Sequence, residues 1–195
     1  MNDNDKQSSL LKKERLFNKI AVDKQSSFLV TWWLAIAQLL KDGNCVWELE
    51  YLDVIADSQY EFWIEKLNQD PWSSFSFSRS VIQIGDKYWV HEMLYLKYPS
   101  MLPLRYLPDL EKFCSKSNDY IGVFKEIIAR LLLNNQAVFL FYIRMNPVIK
   151  INLYDLLILN LEAILPEEED VAIMAIDGSW LIFKSMEGEW VFGRL

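Results

Sequence analysis

A chain of 195 residues that is 52% apolar and 24% charged, with six glycines and six prolines, is too apolar for disorder and too poor in Gly and Pro for a fibrous repeat. Its 20 Lys and Arg stand against 27 Asp and Glu, a net charge of −7, which disfavours a binder relying on cationic contact with nucleic-acid phosphates. What remains is an acidic globular protein, one domain (1–195) by length and large enough to bury a core without staples.

Residues 1–7 read as a frayed start. Ser8 or Ser9 then caps a helix over Leu10 to Val22, whose Leu10, Leu16, Phe17 and Ile20 suit one buried face. A second helix is expected from Ser27 to Leu40, stopped by Lys41-Asp42-Gly43-Asn44 with Gly43 in a left-handed cap. The most apolar run, Phe28 to Leu40, has 13 residues, short of the roughly 20 that span a bilayer. No apolar leader pattern is present either, so the expected location is the cytoplasm.

Cys45 to Tyr51 alternates like a strand, but the pattern turns helical from Leu52, and a helix is expected over 50–67 until Asp70-Pro71 breaks it. Phe75 to Ser78, Val81 to Ile84, the Gly85-Asp86 turn and Tyr88 to Val90 predict a central hairpin. Pro99, Pro103 and Pro108 form a connector over 99–108, where the domain would divide into a helical-plus-hairpin part (1–98) and the remainder (109–195).

Asn118 can cap a helix whose buried stripe is Ile121, Phe124, Ile127, Ile128, Leu131 and Leu132, ended by Asn134-Asn135. Ala137 to Ile143 is a continuous apolar run, as in a central strand covered on both faces. After Pro147, Asn152 caps a helix to Leu165, stopped by Pro166. Asp170 to Ile176, Trp180 to Lys184 and Trp190 to Phe192 then form a meander through Asp177-Gly178 and Glu187-Gly188, and both central residues of the Asp-Gly turn tolerate positive φ. The fold class is α+β, with mixed α/β as its neighbour: N-terminal helices, a central hairpin, then α-β-α-β-β-β with a C-terminal antiparallel meander.

Catalytic signatures are missing from the sequence. There is no Gly-x-Ser-x-Gly, phosphate loop, dinucleotide glycine motif or Cys/His zinc set. The one histidine, His91, lies among Tyr88, Trp89, Met93 and Tyr95 and reads as structural. Cys45 and Cys114 sit beside apolar residues in no metal spacing, as buried free thiols do in a reducing compartment. No catalytic residue, cofactor or metal is assigned. The densest acidic run, Glu167-Glu168-Glu169-Asp170, lacks the alternate spacing of a calcium loop and reads as a solvated loop or a partner contact.

The negative charge is localised. Residues 26–75 carry a net −6 and residues 166–195 a net −5, while residues 1–25 carry +2. In the first acidic segment Asp53, Asp57, Glu61 and Glu65 are spaced by four, which on a helix makes one stripe. Lys66 is the only cation between Asp42 and Arg79. Such a stripe is either a solvated face or a docking surface for a basic partner, whose encounter the field would speed. Trp47, Trp63 and Trp72 flank it and are either core residues or interface anchors.

The stretch Asp170-Val-Ala-Ile-Met-Ala-Ile-Asp-Gly-Ser-Trp-Leu-Ile-Phe-Lys-Ser-Met-Glu-Gly-Glu-Trp190, a hairpin with an Asp-Gly turn and a Trp following acidic residues, resembles the ends of small bacterial immunity-type proteins. The resemblance spans about 25 residues, has no diagnostic motif and carries no site residue over. It implies a cytoplasmic, non-enzymatic inhibitor that neutralises a cognate toxin by stoichiometric binding, often a basic nuclease. On that expectation the partner-binding residues are Asp53, Asp57, Glu61, Glu65, Trp63, Glu167, Glu168 and Glu169, with a basic protein as partner and neither nucleic acid nor membrane. Two alternatives stay open: an enzyme working through carboxylates and His91, and an adaptor or chaperone displaying an apolar groove.

Overall fold

The computed structural model describes residues 3–51, 57–69, 111–113, 119–142 and 148–194. The expected hairpin over Phe75 to Val90, the connector 99–108, His91 and Cys114 lie outside them. The class is α+β: among the described residues, helices at the N-terminal side and a seven-stranded, fully antiparallel sheet.

The two expected N-terminal helices are one. Helix α1 (Asp3–Asp42) runs for 40 residues, about 60 Å at 1.5 Å per residue. It holds no Gly or Pro to stop it. The polar stretch that suggested a break is satisfied within the helix: the Ser26 and Ser27 hydroxyls donate to the Asp23 carbonyl at 3.1 and 2.8 Å. At its C-terminal end Cys45 N–H donates to Leu40 O and Asn44 N–H to Lys41 O, with Asn44 at φ 52°. Asn44, not Gly43, therefore takes the left-handed position. Gly43 has a different role, since a Cβ there would lie 2.4 Å from Leu159 Cδ2.

Strand β1 (Trp47–Tyr51) occupies the start of the expected 50–67 helix, and helix α2 (Tyr60–Leu67) follows a short 3₁₀ turn, Asp57–Gln59. The alternation of β1 is used in pairing, with Glu48 opposite Lys150 and their side chains 3.4 Å apart. Strand β2 (Glu111–Phe113) is short and pairs with the last strand.

Helix α3 (Tyr120–Arg130) is capped by Asp119, whose Oδ1 accepts from Gly122 N–H at 2.8 Å, one residue later than the expected Asn118. Its Val123, Phe124, Ile127 and Ile128 are buried, and so is Leu131 just beyond it. Leu132, expected in the same stripe, is 81% exposed and sits at φ 53° in the left-handed position of a second Schellman-type end, in which Leu133 N–H donates to Ile128 O.

Strands β3 (Ala137–Tyr142) and β4 (Val148–Asn152) follow. The helix expected from Asn152 to Leu165 is broken up: Asn152 ends β4, a 3₁₀ turn spans Leu153–Leu157, and only Leu161–Ile164 (α4) is α-helical. Asn160 divides the segment, because its Oδ1 accepts from Ala163 N–H and so starts a new helix. Strands β5 (Val171–Ala175), β6 (Trp180–Lys184) and β7 (Trp190–Arg194) form the expected meander. In the Asp-Gly turn only Gly178 has positive φ, and its N–H closes the turn onto Ala175 O. The Glu-Gly turn repeats this with Gly188 and Ser185 O.

The strand order is β1-β4-β3-β5-β6-β7-β2. One face carries Val138, Leu140, Ile149, Ile151, Ile173, Ile182 and Phe192, joined to α3 through Phe124 and Ile127. The opposite face, with Phe139, Phe141, Met174, Leu181 and Phe183, is also buried, so β3 is an interior strand with both faces covered. No helix among the described residues is long and apolar enough to cross a membrane.

Candidate functional site

Helix α2 is amphipathic. Trp63 is 2% exposed inside the core, while Phe62 and Ile64 are half-buried. Glu61 and Glu65, four residues apart, are exposed. Two cationic contacts fix the helix on α1: Lys66 Nζ meets Asp23 Oδ1 at 2.9 Å, and the Arg15 guanidinium lies over the Phe62 ring at 5.7 Å. The single cation of α2 is thus drawn to the α1 side, and among the described residues Glu61 and Glu65 form no ion pair. Of the rest of the expected stripe, Asp57 opens the 3₁₀ turn before α2 and Asp53 lies outside the described residues. Trp63 is a core residue and no part of this outer face; its indole N–H is buried and makes no hydrogen bond among the described residues.

The second acidic segment has a different environment. Across one end of the sheet the pairing register sets Tyr142, Val171, Lys184 and Trp190 in a row. Lys184 is 1% exposed. Its ammonium donates to the carbonyls of Pro166 and Glu169 and lies 5.6 Å from the centre of the Tyr120 ring. Burial lowers its pKa, and Glu167, Asp170, Glu168 and Glu169 work against that shift. Glu169 is itself 1% exposed, and Asp170 Oδ1 accepts from Met186 N–H at 2.7 Å. Only Glu167 and Glu168 of the run are exposed. The buried ammonium therefore holds the backbone of the run at Pro166 and Glu169, and half of the acidic side chains are committed internally.

Neighbouring groups share the low-dielectric setting. The Tyr142 hydroxyl donates to Ile164 O at 2.8 Å, and burial, then Glu169, raises its pKa well above the ordinary tyrosine value. The Tyr120 pKa is raised by burial and by Glu167, Glu162 and Glu168. Cys45 is a free thiol whose pKa is raised by partial burial and by Asp155, the opposite of an activated nucleophile. Among the described residues no three His, Cys, Asp or Glu side chains gather as a metal site would need. The groove along α1 is lined by Gln7, Ser8, Leu11, Lys12 and Arg15, and these offer two cations without a carboxylate or imidazole for acid–base work.

Of the residues singled out from sequence, the structure thus sets Glu61 and Glu65 on one exposed face, leaves Glu167 and Glu168 exposed, and buries Glu169 with its carbonyl against the Lys184 ammonium. Two residues went unnoticed. Lys184 had a signal: it stands at the inward parity of β6, after Trp180 and Ile182. The partner of Lys66, Asp23, is 43 residues away and had none. Comparison of the chain with family models, with curated proteins and with solved structures finds no match.

Proposed function

We propose that the chain is a non-enzymatic binding protein that captures a basic protein partner through the acidic face of α2, acting as an immunity-type inhibitor of a bacterial toxin. The observation that supports this most is the position of Lys66. With that cation turned toward Asp23, the exposed Glu61 and Glu65 stand uncompensated at a spacing that weakens their own helix by a few tenths of a kcal/mol per pair. A face that serves only solvation is free to intersperse cations; a docking face for Lys and Arg is not. Glu167 and Glu168 are exposed as well, whereas Glu169 is buried. Occlusion of the cations that the toxin uses for its own substrate would block its activity. The field of α2 would act mainly on association rate and on specificity.

The test is affinity purification from the native host with the wild-type chain and with the Glu61→Lys, Glu65→Lys double variant. The wild-type chain should enrich one basic protein, encoded beside it if the pair is a toxin and its antidote. Association of the purified pair should slow at least tenfold in the double variant and lose its salt dependence. Equal association of the two chains with that protein overturns the assignment.

A further inference from the structure

Helix α1 carries two apolar faces, and among the described residues only one of them is used within the chain. Its buried residues among those described, Val22, Ser26, Ile36, Ala37 and Leu40, all lie from Val22 onward. Residues 6–17 are exposed throughout. Leu10, Leu16, Phe17 and Ile20, expected from sequence to face a core, are 66%, 58%, 61% and 53% exposed. At about 100° per residue these four point roughly 180° away from the mean direction of the buried set. They are a separate stripe and not a continuation of the core face. A helix side serving solvent alone would be polar there.

We infer that this stripe seats a second copy of the chain, the two α1 helices packing antiparallel. Area supports a stable contact. The stripe offers on the order of 400 Å² of apolar surface per copy, and with the stems of the flanking lysines the pair reaches the roughly 1,000 Å² of a specific interface. Charge selects the occupant. Residues 3–24 hold six cations and four anions, a net +2, so the remainder of the chain carries −9. An anionic bilayer or an acidic protein would attract the helix and repel everything behind it. Lys13, whose Nζ lies 5.9 Å from the Phe17 ring centre, sits on the stripe itself and would be pressed into lipid. A second copy supplies both signs. In the antiparallel register that sets Leu10 against Phe17 of the second copy, Lys13 meets Glu14 twice, and the helix dipoles oppose. The side of α1 that α2 occupies, marked by Arg15 and Val22, stays outside this contact, so both acidic faces remain open in the dimer.

Sedimentation equilibrium of the full chain tests this with no partner present, so it fails or stands apart from the toxin assignment. The mass should rise with concentration from 23.1 kDa toward twice that value. Leu10→Glu with Phe17→Glu should give a monomer with an unchanged urea midpoint, since both positions are exposed. Lys13→Glu and Glu14→Lys should each raise the dimer dissociation constant about tenfold, and the double swap should restore it. A chain monomeric at every concentration overturns the inference. So does binding to vesicles of anionic phosphatidylglycerol that Phe17→Glu abolishes while the chain stays monomeric. Single charge variants that leave the dissociation constant unchanged, or a double swap that fails to restore it, overturn the antiparallel register.

Discussion

In the segment 166–170 the backbone of a run of four acids is held by the buried ammonium of Lys184, while in α2 the single cation, Lys66, is drawn off to Asp23 and the acids are left facing water. The longer stretches that hold them, 166–195 and 26–75, carry −5 and −6 along the sequence, yet the first anchors its acidic run on a buried cation and the second turns its cation away. What a run of acids does depends on the cation the fold brings against it. In a low-dielectric environment such a cation holds the acids to the protein; without one, their field is available to a binding partner.

The largest expected effect comes from removing the buried cation. Lys184→Met strips the Pro166 and Glu169 carbonyls of a charged donor and takes the positive charge from beside the acidic run. Two charge-assisted hydrogen bonds are lost, offset in part by relief of the ammonium's desolvation, for a net destabilisation of about 2 kcal/mol in urea unfolding. The pH dependence has a definite sign. Because the folded pKa is below 10.5, the unfolded chain binds a proton that the folded chain lacks between the lowered value and 10.5. Wild-type stability therefore gains from this group as pH rises through that window, and the gain should vanish in Lys184→Met. A variant as stable as wild type at neutral pH would mean that the 166–170 acids need no cation, and the contrast with α2 would collapse.

Tyr142→Phe sharpens the same side of the contrast at smaller cost. It leaves Ile164 O without its donor, for about 1 kcal/mol. The linkage here runs the other way. With the folded pKa well above 10.0, the folded chain keeps a proton that the unfolded chain loses, so this group's stabilisation is present below pH 10 and declines above it. The variant should lose that part of the alkaline decline, measured as the urea midpoint from neutral to high pH.

The elements most legible in the sequence were those with a strong local signature. The apolar run of β3 is buried from Val138 to Tyr142, and glycine marks both turns of the meander. Where two local patterns competed, tertiary pairing decided: Glu48 and Trp47 found partners on β4, and Asn160 restarted a helix that Leu and Ile content alone would have run through. Polar residues misled at Asp23 to Ser27, since serines that bond back to the helix carbonyl do not interrupt it. The site was legible as charge and spacing. Its electrostatic meaning was not, because it depends on Asp23 for α2 and on Lys184 for the 166–170 run, neither of them adjacent in sequence.

The smallest expected effects fall on α2 itself. Glu61 stands in the first turn of the helix, where a carboxylate favours the positive end of the dipole, so Glu61→Gln exchanges that gain for relief of repulsion from Glu65 and should leave stability nearly unchanged. Glu65 stands near the other end, where both terms are unfavourable, so Glu65→Gln should stabilise by a few tenths of a kcal/mol at low ionic strength and by less in high salt. Urea midpoints of the two variants at two salt concentrations give the comparison. A loss of more than about 1 kcal/mol in Glu65→Gln would be the magnitude of a satisfied internal contact. It would place the α2 acids in the same class as the internally held Glu169 and Asp170 and remove the uncompensated face on which the proposed partner capture depends.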